Sequence, residues 1–93
     1  MAEIVNNTAK QRYELHQDDA LAIAAYERRG DVVVFTHTVV PGALQGKGIA
    51  SRLIKHALDD VRAQGLKIDP RCEFVTAYLE RHPEERDLLA DAG

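Results

Sequence analysis

Apolar and polar positions alternate along the first part of the chain, and the period then lengthens. Residues 11–16 place Tyr13 and Leu15 on one side and Arg12, Glu14 and His16 on the other, the two-residue repeat of a half-buried strand. Gln17, Asp18 and Asp19 read as a turn. Residues 20–27 continue with Leu21, Ile23 and Ala25 opposite Ala22, Ala24 and Tyr26, and are read as a second strand, although the alanines would also tolerate a helix. Gly30, able to take positive φ, makes a hairpin turn the economical link to a third strand. Residues 31–40 carry Val32, Val33, Val34, Phe35, Val39 and Val40, a run that predicts a central strand buried on both faces.

After Pro41 and Gly42 the repeat becomes helical. Ile49, Ala50, Leu53, Ile54, Ala57, Leu58 and Val61 recur at three- and four-residue spacing through about residue 64, where Gly65 is suited to cap the end. Residues 66–68 form a short strand candidate stopped by Asp69 and Pro70. A strand–helix–strand run of this length makes a right-handed crossover to a parallel neighbour, so the sheet should be mixed. From about residue 72 to 82, Phe74, Val75, Tyr78 and Leu79 share one helical face, and Pro83 opens a further short helix ending near residue 90. Glu84 to Asp87 read as an exposed helix face, and residues 91–93 as a frayed end.

Composition narrows the function classes. The chain has 93 residues, 45% hydrophobic and 29% charged, which suits one ordinary globular domain. Lys and Arg number 12 against 15 Asp and Glu, and no basic run offers the footprint that nucleic acid requires. No apolar run approaches the roughly 20 residues that cross a bilayer, so no membrane partner is expected. Cys72 is the sole cysteine and the N-terminal residues lack a basic, apolar leader, which points to a reducing, cytoplasmic setting. His16, His56 and His82 show no ligand spacing, so no metal is expected.

The chemistry concentrates between the valine-rich strand and the helix. Residues 41–52, PGALQGKGIASR, bring three glycines and a lysine to a helix N-terminus. Unpaired backbone N–H groups and the positive end of the helix dipole converge there, and glycine admits a phosphate close to the backbone. Lys47 and Arg52 can add charge. The triphosphate-binding loop is excluded by spacing, because Gly42 and Gly46 enclose three residues rather than four, and Gly48 stands where the magnesium-binding hydroxyl belongs. The dinucleotide fingerprint fails as well, lacking its third small residue after Gly46 and Gly48.

Gln45, Gly48 and Ala50 match in order the pyrophosphate motif of the GCN5-related N-acetyltransferases. The further landmarks Pro70, Cys72, Tyr78 and His82-Pro83-Glu84 resemble a short, single-domain, cysteine-containing branch of that superfamily. The resemblance covers nearly the whole chain. It implies an α/β fold, a truncated form of the superfamily's, with a mixed sheet of antiparallel strands followed by a strand–helix–strand crossover and C-terminal helices. It also implies acetyl-coenzyme A as co-substrate and transfer of the acetyl group to an amine, on a small molecule or a protein lysine. The cofactor-binding residues implied are Val39, Val40, Gln45, Gly46, Lys47, Gly48, Ile49, Ala50, Ser51 and Arg52. The backbone of Val39 and Val40 would pair with the pantetheine arm like an added strand while their side chains stay in the core.

Two departures accompany the match: the N-terminal helices that help full-size relatives form the acceptor site are absent, and no carboxylate stands in the place of their usual base. A non-catalytic coenzyme A sensor or protein-interaction module is therefore the alternative. A monomer is expected.

Cys72, beside Arg71 at the start of a predicted helix, is placed where dipole and cation favour a thiolate; the alternative is a buried cysteine acting as a small apolar residue. His37, near the end of the central strand, would come close to Cys72 in a parallel arrangement and could serve as base. Alternatively it packs against the helix with a nitrogen bonded to backbone.

Overall fold

A computed structural model of the protein describes residues 3–90. Five strands form one sheet in the order of the sequence: β1 (Glu3–Asn7), β2 (Arg12–Gln17), β3 (Ala20–Arg29), β4 (Val32–Val39) and β5 (Lys67–Pro70). The first four run antiparallel, and β5 lies parallel to β4 after the crossover helix α1 (Ile49–Ala63). Helix α2 (Glu73–Arg81) and a 3-10 segment (Pro83–Leu88) complete the chain. The mixed sheet and the crossover are as the pattern predicts. The end expected to be frayed, residues 91–93, lies outside the described residues.

One face of the sheet carries the core. Tyr13, Leu15, Ala22, Ala24, Tyr26, Val33, Phe35 and Ile68 point toward α1 and α2, whose Leu53, Ile54, Ala57, Leu58, Val75, Tyr78 and Leu79 close the cluster. Small alanines on β3 let α1 approach closely, with bulkier strand residues at the flanks. Helix α1 ends as its glycine predicts: Gly65 takes φ 72°, its N–H bonds to the carbonyl of Arg62, and Leu66 bonds back to Val61.

Several expectations are corrected. Strand β1 is an element that the sequence pattern did not predict, since only Ile4 turns an apolar side chain to the core; beside it Asn6 accepts from the Tyr26 hydroxyl at 2.7 Å. Residues 84–87 are not a uniformly exposed face. Glu85 is buried and, with Asp87, grips Arg62 of α1, at 2.8 and 2.6 Å. Phe74, expected in the core with Val75 and Tyr78, is 45% exposed.

The largest correction lies in β4. Tyr26 pairs with Phe35, but the residue before it in β3, Ala25, pairs with His37, so Thr36 is an extra residue and forms a bulge. Its hydroxyl bonds to the Ala25 carbonyl at 3.3 Å. A bulge exchanges the two faces for every residue beyond it. Phe35 faces the helices, yet so does Thr38, while His37 and Val39 face the open side. Val39 is accordingly 49% exposed rather than part of the core, whereas Val40 packs against it.

Candidate active site

The glycine loop hangs between two buried anchors. Leu44, in the 3-10 turn Gly42–Leu44, and Ile49, first residue of α1, are almost fully buried, so residues 45–48 bow outward between fixed points. The Gln45 amide donates to the Val40 carbonyl at 3.2 Å and ties the loop to the end of β4. Gly46 and Gly48 adopt φ 78° and 68°, left-handed values that glycine takes without steric cost, and the space above both is open. Gly48 is the N-cap of α1 and no side chain caps the helix; the first backbone bond entering it is from Arg52 N–H to Gly48. The preceding N–H groups of the first turn are thus available to a ligand.

Beside the loop is a groove of about 230 Å3, lined by Val40, Leu44, the loop and first turn of α1, and Phe74. Of the ten residues expected to bind a coenzyme, Val40, Gln45, Gly46, Gly48, Ile49, Ala50 and Ser51 line it. Val39, Lys47 and Arg52 do not. Lys47 instead reaches across to Asp18, at 3.3 Å, in the hairpin between β2 and β3. Arg52 is exposed and makes no ion pair among the described residues.

The parallel strands diverge beside this groove. β5 pairs with β4 only from Val32 to Phe35, and the last backbone bond between their segments runs from Arg71 N–H to the Phe35 carbonyl. Beyond Phe35 the outer edge of β4 has no strand partner. Cys72 sits at this fork as the N-cap of α2, 4% exposed, with its Sγ 3.1 Å from the Thr38 hydroxyl. Arg71 is engaged by Asp69 at 3.1 Å.

The structure does not bring His37 to Cys72. The bulge turns His37 to the open face, where Nδ1 lies 3.3 Å from the Thr36 hydroxyl, and Thr38 takes the position beside the sulphur. Thr38 is the partner that sequence reasoning missed. Unbroken alternation from Phe35 would have put His37 on the helix side, and the bulge carries no glycine to announce itself.

A second cavity, of about 270 Å3, lies at the opposite end of the sheet near Asn6, Tyr13, Tyr26 and Gln64, away from the residues predicted to act. Tyr13 donates to Asp60 at 2.6 Å there, and Gln64 donates to the same oxygen at 2.8 Å. Burial, followed by the Asp60 contact, raises the Tyr13 phenol far above its ordinary range. The described residues contain no group of three His, Cys, Asp or Glu arranged to hold a metal, and no helix long and apolar enough to cross a membrane.

A mixed sheet whose parallel pair opens at the end of β4, beside a glycine loop that starts the crossover helix, is the arrangement of a GCN5-like fold. Residues 12–88 match the model of the GCN5-related N-acetyl-transferases, and the chain belongs to that family. Within it, the chain is similar to Protein NATD1: 40% identical over 63 residues to the Gallus gallus protein, covering 67% of this chain and 57% of that one. The Homo sapiens NATD1 gives 40% over 63 residues, 67% of this chain and 56% of its own. The chain thus spans somewhat over half the length of these relatives. In structure, a GCN5-like protein from Staphylococcus aureus, determined by NMR, superimposes with a TM-score of 0.74 at 26% identity, covering 98% of this chain and 90% of that one.

Proposed function

We propose that the protein binds acetyl-coenzyme A in the groove at the head of α1 and transfers the acetyl group to an amine. The uncapped first turn of α1 beneath two left-handed glycines supports this most directly, because its N–H groups and dipole would hold a pyrophosphate. The arm would follow the groove past Val40 and bond to the free edge of β4, including the backbone at Val39 and Val40. Lys47 would exchange Asp18 for the phosphates, and Arg52 would add a second cation.

Acetyl-coenzyme A supplies an activated thioester, and the chain's own groups act on it. In the covalent route the Cys72 sulphur forms a bond to the acetyl carbon as the coenzyme's carbon–sulphur bond breaks, and the Cys72 thiol proton passes to the departing coenzyme sulphur. Thr38 steadies the Cys72 sulphur. The acceptor nitrogen then bonds to the acetyl carbon, the Cys72 thiolate departs, and a base takes the amine proton. His37 can be that base only for an amine arriving on the open face of the sheet; in the direct route it would do so without Cys72.

A coenzyme A sensor without transfer is the second reading, favoured by the burial of Cys72 and its absence from the groove lining. Titration of coenzyme A into isotope-labelled protein should move the amides of Gly46, Gly48 and Ala50. Their indifference at millimolar ligand would overturn both readings. Incubation with acetyl-coenzyme A, followed by intact mass, should show one acetyl gain that Cys72→Ser abolishes; binding without gain or turnover would leave the sensor.

A further inference from the structure

Phe74 is one of three large apolar side chains that the described residues leave exposed, and it has been set at the groove by the start of α2. The neighbours on its helix, Val75, Tyr78 and Leu79, are buried, so the ring is not needed for packing α2 onto the sheet. One side of the ring closes the groove opposite Val40 and the loop. The other lines a shallow depression of about 220 Å3 with Glu73 and Ala77. The ring therefore stands as a partition, wet on both sides, between the glycine loop and the surface of α2.

We propose that Phe74 is a positioning residue for the acyl-carrying arm of the ligand, the wall against which an extended, largely aliphatic chain with amide groups lies on its way from the α1 loop to Cys72. This rests on the coenzyme reading of the groove. The opposite walls fit such a chain. Val40 gives it apolar contact, with the buried Leu44 and Ile49 fixing the floor behind the loop, the free edge of β4 offers backbone groups to its amides, and the loop would form the anion-binding end of the groove. A ring half in water gains by covering apolar chain and has no comparable affinity for a hydrated diphosphate. Phe74 thus reads the arm, and the loop reads the phosphates. Because Cys72 lies two residues upstream at the N-cap of the same helix, a chain held on this ring is delivered toward the sulphur.

Calorimetric titration of the full chain with two probes separates the parts: coenzyme A, and adenosine 3′,5′-diphosphate, which lacks the arm and the outer phosphate that bears it. Phe74→Ala should weaken coenzyme A about tenfold, in line with the apolar area a phenyl ring covers, and leave the diphosphate's affinity unchanged. Phe74→Leu should recover most of the loss. An unchanged coenzyme A affinity in Phe74→Ala would overturn the assignment while leaving the groove's function standing. Equal weakening of both probes would also overturn it, since the ring would then act on the nucleotide or on the fold. Failure of the wild-type chain to bind either probe would remove the coenzyme reading itself, and this inference with it.

Discussion

The pair Thr38 and Cys72 joins two residues 34 positions apart, at 3.1 Å, on the side of β4 that faces the helices. The threonine hydroxyl can donate to a thiolate or accept from a thiol, so it orients the sulphur whichever form is present. Thr38→Val keeps the shape and removes that bond. The variant should bind coenzyme A as the wild type does and gain acetyl on Cys72 roughly fivefold more slowly, the effect of one hydrogen bond of about 1 kcal/mol. Time-resolved intact mass would check this, and an unchanged rate would take Thr38 out of the site. At this scale the sequence was legible for the loop and opaque for the partners. The places of Gln45, Gly46, Gly48 and Ala50 follow from local backbone geometry, which adjacent residues reveal. Thr38, Phe74 and the Tyr26–Asn6 contact depend on which face a residue occupies after folding.

Helix α1 and strands β2 to β4 were readable because each has one strongly apolar face and so a clear period. Strand β1 was not, because its inward positions are Ile4 and the polar Asn6, and a single apolar residue sets no period. The bulge in β4 escaped for a related reason: an inserted threonine is as good a strand former as its neighbours, and only the cross-strand register reveals it. Turns show the same division. Gly30 and Gly65 announce their positive φ, but the hairpin between β2 and β3 places Asp18 and Asp19 at φ 53° and 61°. Aspartate enters that region less readily than glycine. Asp19→Gly should therefore raise stability by roughly 0.5 to 1 kcal/mol, seen as a higher urea midpoint at unchanged slope, while Asp18 remains opposite Lys47. A lower midpoint would show that Asp19 makes compensating contacts.

For the whole molecule, titration limits stability from both sides. Asp87 is held below the usual carboxylate range by its hydrogen bond from Arg62, and Glu14 by its bond from Arg12. Because their folded-state values are depressed, their contribution is present above the unfolded value and lost as pH falls through the folded one, so it fades below about pH 4. Tyr13, Tyr26 and Tyr78 are raised, in each case mainly by burial. Their contribution is present below the unfolded value and is lost as pH rises beyond about 10, where the unfolded chain ionises its phenols first. Urea midpoints against pH should form a plateau with two falling edges. Arg62→Ala should lower the plateau and make the acid edge shallower. An acid edge of unchanged steepness would remove Asp87 from the account.

The divergence of β4 from β5 has a consequence for solubility. Past Phe35 the outer edge of β4 offers backbone donors and acceptors to any extended chain, and such a strip does not distinguish a pantetheine arm from an aggregating neighbour. The groove and the helix α2 leave only a short length of it accessible, which limits the hazard without removing it. On the proposed function, occupancy and colloidal behaviour are coupled: a coenzyme lying along this strip would also act as its guard, and the protein without it would have most to lose from crowding with its own kind.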